Sequence, residues 1–219
     1  MSLQARVQQV RDRLHRACLA AGRKPEDVEL LPVSKRQPES LIREAMALGF
    51  RRFGENYVQE AATKAASVPA AELILIGPLQ SNKAKAALQT FAEIQSVDRL
   101  ELAQRLDRLA GELALVRPTW VQVDLWNEDT KMGGCPAERL PELVAFLAKS
   151  PRLPFQGFMA IPPPEDAEAF QQLARLRETW SQNLGRKVKL SMGMSADLES
   201  AVDAGSDQIR VGTAFFGAR

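Results

Sequence analysis

Short runs of apolar residues alternate along the chain with longer segments in which apolar residues recur every three or four positions. The short runs have the length of buried β-strands, and the longer segments have the spacing of amphipathic α-helices. Eight strands alternating with helices are predicted in this way. The predicted strands span residues 28–35, 51–54, 72–76, 93–96, 118–125, 153–161, 188–190 and 208–211.

One additional helix precedes the first predicted strand. Leu3, Val7 and Val10 begin its apolar stripe, and the helix is predicted to end near Gly22. Strands that alternate with helices favour a parallel sheet with right-handed connections, and eight such units close into a (β/α)8 barrel. We therefore predict an α/β protein with a single (β/α)8 TIM barrel, an extra N-terminal helix and one domain over residues 1–219.

Charge and hydropathy exclude several classes of partner. The 219 residues carry a formal net charge of +2, from 29 basic and 27 acidic residues. No basic run is interleaved with aromatic residues, so nothing indicates nucleic-acid binding. No stretch approaches the roughly 20 apolar residues that a membrane helix needs, and the N-terminal segment lacks the apolar core of a signal peptide. We predict a cytoplasmic protein that binds a small molecule.

The cysteines and the single histidine limit the chemistry that the chain can perform. Cys18 and Cys135 have no metal-ligand spacing, and His15 lies beside the apolar stripe of the first helix. A zinc site, a Ser-His-Asp triad and a Cys-His pair are disfavoured. No metal site is predicted.

Two similar turns follow the seventh and eighth predicted strands. In each turn an apolar strand runs into a glycine with a hydroxyl residue close by, Gly193 with Ser195 and Gly212 with Thr213. Such a turn offers backbone N–H groups to an anion, and phosphate sites of (β/α)8 barrels lie after strands seven and eight. One such turn alone is often only a helix cap. The pair predicts a phosphate site.

Lys35 ends the first predicted strand, at the edge of a parallel sheet where ligands bind. In a closed barrel the eighth strand neighbours the first, so Lys35 is expected beside the two turns. A lysine whose pKa is lowered by burial is a nucleophile that forms an imine with an aldehyde. The alternative is a solvated lysine at a strand end.

A molecule with both an aldehyde and a phosphate would satisfy the lysine and the two turns. Pyridoxal 5′-phosphate (PLP) is the commonest such cofactor, and class I aldolase chemistry on a phosphosugar would fit as well. Arg210 favours PLP, because a guanidinium keeps its proton and would leave the pyridine nitrogen unprotonated. Such a ring is a poor electron sink, which disfavours transamination. The alternative for Arg210 is a salt-bridged arginine at a strand end.

Six segments resemble the pyridoxal phosphate homeostasis family, and the resemblance covers nearly the whole chain. It implies a barrel like the N-terminal domain of alanine racemase, with Lys35 as the Schiff-base lysine. It also implies that Arg210 faces the ring nitrogen and that Asn56 lies near the phenolic side of the cofactor. The segments are Val33-Ser34-Lys35, Phe53-Gly54-Glu55-Asn56-Tyr57, Ile76-Gly77-Pro78-Leu79-Gln80-Ser81-Asn82-Lys83, Gly157-Phe158-Met159-Ala160-Ile161-Pro162, Leu190-Ser191-Met192-Gly193-Met194-Ser195 and Arg210-Val211-Gly212-Thr213-Ala214-Phe215-Phe216-Gly217.

The same resemblance implies how the phosphate is held. Ser195, Gly212 and Thr213 would bind it, with Met194 and the backbone of Gly193 near it. The predicted cofactor-binding residues are Lys35, Asn56, Met194, Ser195, Arg210, Gly212 and Thr213, and no catalytic residue is predicted.

The family implies a role in keeping free PLP low and available, with no established catalysis, and PLP-dependent apoenzymes as candidate partners. The alternative is a PLP-dependent amino-acid racemase, which needs an acid/base group on each face of its substrate. In the racemases that the chain resembles, a C-terminal β-domain supplies the second group and the dimer contact. This sequence has no counterpart of it, so we predict a monomer. A phosphosugar aldolase or a plain scaffold barrel is the third hypothesis.

The sequence departs from the family pattern at two places. Leu73 and Ile74 stand where many relatives have Trp-His, and Asp124 stands where an asparagine is usual. The loop after the fifth predicted strand matches the family at Lys131, which is weighed as a second PLP contact against a solvated loop lysine.

Overall fold

The structure is a computed structural model that describes residues 1–126, 133–163 and 166–217. The chain divides into two compact units. The first unit contains Met1–Gly54 and Ile161–Arg219, and the second contains Glu55–Ala160. Lys131 lies outside the described residues, so its weighed role as a second PLP contact stays a prediction.

The strands confirm the predicted pattern. All eight predicted strands are present, and a short ninth strand, β6, was not predicted. In chain order they are β1 (Glu29–Pro32), β2 (Arg52–Glu55), β3 (Glu72–Leu75), β4 (Glu93–Val97), β5 (Thr119–Asp124), β6 (Cys135–Pro136), β7 (Phe155–Met159), β8 (Lys189–Ser191) and β9 (Gln208–Val211).

The α-helices follow the strands, with one helix before β1, as the sequence predicts. They are α1 (Leu3–Ala20), α2 (Glu39–Ala47), α3 (Val58–Ser67), α4 (Ala84–Thr90), α5 (Leu100–Glu112), α6 (Leu140–Lys149), α7 (Ala167–Leu184), α8 (Leu198–Asp203) and α9 (Thr213–Phe216). Short 3-10 turns cover Pro25–Asp27, Ser81–Lys83 and Ala137–Arg139. Among the described residues, no helix has both the length and the apolar character that crossing a bilayer requires.

In the first unit, three parallel strands lie side by side in the order β1-β9-β8. Leu31 pairs with Arg210, and Ser191 pairs with Gln208. The prediction that the first and last barrel strands are neighbours is therefore confirmed. Because the strands are parallel, their carboxyl ends meet at one edge of the sheet.

Helix α1 packs its apolar stripe inside the first unit. Its buried residues recur at three- and four-residue steps, as predicted, and the helix contacts α2, α8 and α9. Ser2 caps its first turn by accepting a hydrogen bond from the N–H of Ala5. The buried stripe consists of Leu3, Val7, Val10, Leu14, Ala17 and Cys18.

In the second unit, the parallel strands follow the order β3-β4-β5-β7. Fully buried side chains such as Leu75, Ile94 and Phe158 fill its core. Strand β6 pairs with the end of β5 through Cys135 opposite Val123. Two residues at the end of a polar loop give no periodic signal, which is why the sequence did not reveal this strand.

Two prolines shape the start of α6. Pro136 ends β6 and precedes a 3-10 turn, and α6 begins at Leu140 with Pro141 in its first turn. The N–H that Pro141 lacks would have no partner inside the helix at this position.

Candidate cofactor site

Strand β1 ends at Pro32, so Lys35 lies in the turn after the strand and not at the strand end that the sequence predicted. The N–H of Val33 donates to the carbonyl of Val211 over 2.9 Å. A Cβ placed on Gly212 would lie 3.8 Å from Val33, so the two backbones run close together. Lys35 follows two residues later and is half-buried. The structure thus brings the lysine segment and the second turn to the same edge of the sheet.

The first turn, after β8, requires a glycine. Gly193 has φ +92°, and a Cβ there would lie 2.3 Å from the Cβ of Ala201. The carbonyl of Gly193 accepts a hydrogen bond from the N–H of Arg210 over 3.0 Å, which joins the first turn to β9. The two turns therefore lie side by side, as the phosphate hypothesis needs.

Met194 and Ser195 sit differently in the first turn. The N–H of Met194 donates to Oδ1 of Asp197 over 2.5 Å, so this backbone donor already has a partner. The side chain of Met194 is exposed, and Ser195 is half-buried. Ser195 is thus the better placed of the two to hold an anion.

The second turn opens the short helix α9. The carbonyl of Gly212 accepts the N–H groups of Phe215 and Phe216, over 3.0 and 2.9 Å. Thr213 and Ala214 form the first turn of α9, where N–H groups have no partner inside a helix. These two N–H groups and the exposed Thr213 hydroxyl are the donors that this turn can offer to an anion.

Arg210 lies in β9 with only 4 % of its surface exposed. Its Nη1 donates to the carbonyl and the hydroxyl of Ser191, over 2.6 and 2.8 Å. Burial lowers the pKa of Arg210 to about 10, and the nearby carboxylate of Asp197 opposes that shift. The guanidinium is therefore a fixed cation at neutral pH, directly below the two turns.

Asn56 lies in the second unit, immediately after β2. Its Oδ1 is buried and has no hydrogen-bond partner among the residues that the structure describes. A Cβ on Gly77 would lie 2.4 Å from the backbone oxygen of Asn56, so only glycine fits there. An unpaired buried acceptor is costly, and a hydroxyl donor on a ligand would satisfy it.

Helix α3 begins without a side-chain cap. Its N-cap position is Tyr57, which makes no side-chain cap hydrogen bond. Glu55 is the last residue of β2. The Asn56 side chain is consequently not engaged in capping α3.

Lys64, Glu55 and Glu60 form a buried ion-pair network that the sequence analysis does not predict. The amine of Lys64 donates to Glu55 over 2.6 Å and to Glu60 over 2.7 Å. Lys64 is 5 % exposed and Glu55 is 0 % exposed. The spacing of Glu60 and Lys64, four residues apart in a helix, was the available sequence signal. The network ties α3 to Glu55, the residue before Asn56.

Substitution of Lys64 by methionine is expected to lower the free energy of unfolding by about 3 kcal/mol, because it leaves the Glu55 carboxylate buried without its cation. Urea denaturation of both proteins measures the difference. Arg108→Met is the matched control, since it breaks the exposed pair of Arg108 and Glu112 in α5. It should cost less than about 1 kcal/mol. Equal losses in the two variants would contradict the role assigned to burial.

Neither cysteine is poised to react. Cys18 and Cys135 are both buried and free. Burial raises the pKa of both thiols, that of Cys135 to about 11.

The two thiols should therefore react slowly with a disulfide reagent in the folded protein. At pH 8 about one Cys135 thiol in a thousand is ionised, since each pH unit below the pKa lowers the thiolate fraction tenfold. We expect the rate to rise at least about tenfold when the protein is unfolded in denaturant. A full equivalent of fast-reacting thiol in the native protein would contradict this prediction.

Comparison with known proteins places these features in a family. The family model described as "Alanine racemase, N-terminal domain" matches residues 4–219. The pyridoxal phosphate homeostasis protein of Pseudomonas aeruginosa is 46% identical over 222 residues, which cover 97% of this chain and 94% of that protein. The protein of the same name from Escherichia coli is 43% identical and covers 96% of this chain and 94% of that protein.

The chain belongs to the pyridoxal phosphate homeostasis protein family. Solved structures agree with this assignment. PipY of Synechococcus elongatus without PLP superposes with a TM-score of 0.88 at 37% identity, covering 99% of this chain and all of that one (100%). PipY with PLP bound gives a TM-score of 0.86 at 36% identity, covering 99% and 100% of the two chains. The family resemblance drawn from the sequence is confirmed.

The fold class is confirmed as well. Alanine racemase of Clostridium difficile superposes with a TM-score of 0.74 at 16% identity, and the match covers 89% of this chain and 56% of the racemase chain. At this identity the likeness concerns the fold alone. This chain is thus an α/β protein with the parallel (β/α)8 fold of the alanine racemase N-terminal domain, and α1 is its extra N-terminal helix.

Proposed function

We propose that this protein binds PLP through Lys35 and takes part in intracellular PLP homeostasis. The observation that carries the proposal is the pairing of β1 with β9, which sets the half-buried Lys35 segment beside the two glycine turns. PipY, which is similar to this chain over nearly its whole length, has been solved with PLP bound. The relatives' name gives the biological role that we propose.

The residues present fit each part of the cofactor. Lys35 supplies an amine for the aldehyde. Ser195, Gly212 and Thr213 supply hydroxyl and backbone donors for the phosphate, with the Met194 side chain near them. The unpaired Oδ1 of Asn56 suits a ligand hydroxyl, such as the phenolic oxygen of PLP.

Arg210 supports a role without turnover. When bound, PLP supplies an electron-withdrawing ring whose strength depends on a protonated pyridine nitrogen. The Arg210 guanidinium stays charged at neutral pH, and a cation facing that nitrogen keeps it unprotonated. We propose that this pairing holds the cofactor in a form that is poorly suited to carbanion chemistry.

We further propose that the protein is not an enzyme. Racemisation needs a second acid/base group, and Tyr57, the only tyrosine of the chain, is 43 % exposed at the N-cap of α3. The proposal includes a monomeric, cytoplasmic protein that releases PLP to PLP-dependent apoenzymes.

Titration of the purified protein with PLP tests the proposed binding. We expect saturable growth of a visible imine absorbance at one equivalent per chain. Inorganic phosphate should compete, because it occupies the two turns. Absence of a saturable signal would refute the proposal.

Optical rotation separates the carrier from the racemase. The PLP-loaded protein is incubated with L-alanine and, separately, with several other L-amino acids. The proposal predicts no change of rotation beyond that of free PLP. Loss of rotation that scales with protein concentration would support the racemase instead.

A further inference from the structure

Two arginines of α1 bind backbone carbonyls of the segments that carry the two turns. Nε of Arg6 donates to the carbonyl of Phe215, in α9, over 3.1 Å. Nη1 of Arg13 donates to the carbonyl of Ser195. Arg23, just after α1, binds at the other end of α8, where its Nη1 donates to the carbonyls of Val202 over 3.0 Å and Ser206 over 2.7 Å. The extra helix therefore holds both segments that carry the turns.

Arg13 makes the most direct of these contacts, because Ser195 is itself a predicted phosphate ligand. The guanidinium is held in place by a second partner, the carboxylate of Glu199 in α8, with Nε to Oε1 at 2.6 Å. This pairing raises the pKa of Arg13 and lowers that of Glu199. One edge of a rigid guanidinium thus binds α8 while another donor binds the turn before it.

The Ser195 carbonyl sets the direction of the next N–H group. A trans peptide unit is planar, so its C=O and N–H point to opposite sides. When Arg13 draws the Ser195 carbonyl towards α1, the N–H of Ala196 is turned away from α1. Loss of the contact would free this peptide unit to rotate and would misalign the turn.

A cavity beside α1 locates this contact at the phosphate end of the site. The cavity has a volume of about 350 Å³ and lies between α1 and the two turns. Its lining includes Arg6 and Arg13 from the helix side, and Ser195 and Thr213 from the turns. Helix α1 therefore borders the same space as the two predicted hydroxyl ligands.

We propose that Arg13 is a positioning residue for the cofactor's phosphate, acting through the Ser195 peptide and without touching the phosphate. This inference rests on the proposed PLP function. It assigns the extra N-terminal helix a task, namely to keep the turn after β8 in its binding conformation.

A comparison of PLP with pyridoxal tests the proposal, because pyridoxal has the same ring and aldehyde but no phosphate. We expect Arg13→Gln to weaken PLP binding about tenfold, the loss of one charge-assisted hydrogen bond, and to leave pyridoxal binding unchanged. Arg16→Gln is the control. Arg16 is exposed on the same helix and lowers the pKa of Glu199. Arg16→Gln therefore removes one positive charge near Glu199, as Arg13→Gln does.

Arg13→Lys distinguishes charge from geometry. Lysine keeps the charge but lacks the fork that binds Glu199 and the Ser195 carbonyl together, so its PLP affinity should also fall. In the protein without cofactor, amide hydrogen exchange of residues 194–197 should be about tenfold faster in Arg13→Gln than in Arg16→Gln.

Four results would overturn the positioning role of Arg13 and leave the proposed function standing. In Arg13→Gln they are equal weakening of PLP and pyridoxal binding, unchanged PLP affinity, or unchanged hydrogen exchange. In Arg13→Lys the contradicting result is full PLP affinity. A wild-type protein that forms no imine with PLP would overturn the proposed function, and this inference with it.

Discussion

Lys35→Ala is expected to abolish the visible imine absorbance that PLP produces with the wild-type protein. The physical reason is that only a primary amine can condense with the aldehyde, with loss of water, and alanine has none. The half-buried side chain contributes little to the core, so the unfolding midpoint should change by only a few degrees. Absorbance titration and thermal unfolding measure the two quantities.

Lys189→Ala is the matched control for this experiment. Lys189 begins β8 and is exposed, at the amino end of the strand, so it lies at the opposite edge of the sheet from the two turns. Its substitution should leave the titration unchanged. Persistence of the absorbance in Lys35→Ala, or its loss in Lys189→Ala, would contradict the assignment.

Gly193→Ala is expected to lower the free energy of unfolding by roughly 2 to 5 kcal/mol. A left-handed backbone costs alanine about 1 to 2 kcal/mol, and overpacking against Ala201 costs typically 1 to 3 kcal/mol more. The φ of +92° and the 2.3 Å approach at Gly193 are the observations behind these two contributions. Urea denaturation measures the change, and PLP affinity should fall because the first turn must distort.

Gly185→Ala isolates the backbone contribution. Gly185 has φ +62° after α7, and a Cβ added there would meet no other atom within 4 Å. The substitution should cost about 1 to 2 kcal/mol and leave PLP binding intact. If the two variants were equally stable, the close approach to Ala201 would have no energetic consequence, and the role assigned to Gly193 would be wrong.

The sequence allowed the fold to be predicted because each layer has its own pattern. Buried parallel strands read as apolar runs, as at Leu73, Ile74 and Leu75 of β3, and α1 shows the period of a one-sided helix. Closure of eight units then implied that Lys35 and Gly212 would be neighbours. The structure confirms this pairing of strands, which no local pattern at either residue reveals.

Three features could not be predicted, each for a physical reason. Strand β6 is too short for periodicity. The Lys64 network depends on Glu55, whose position at the end of β2 puts it under α3 only once the strand and helix have packed. The contact of Arg13 with the Ser195 carbonyl joins residues 182 positions apart and involves a backbone atom, so no residue type marks it.

Borohydride reduction followed by peptide mapping tests the central claim most directly. The PLP-loaded protein is reduced, digested and analysed by mass spectrometry, so that the lysine bearing the cofactor is identified. We predict one modified peptide, the one that contains Lys35, and a marked decrease of its yield when inorganic phosphate competes. A cofactor fixed on another lysine, or spread over several lysines, would contradict the assignment of Lys35.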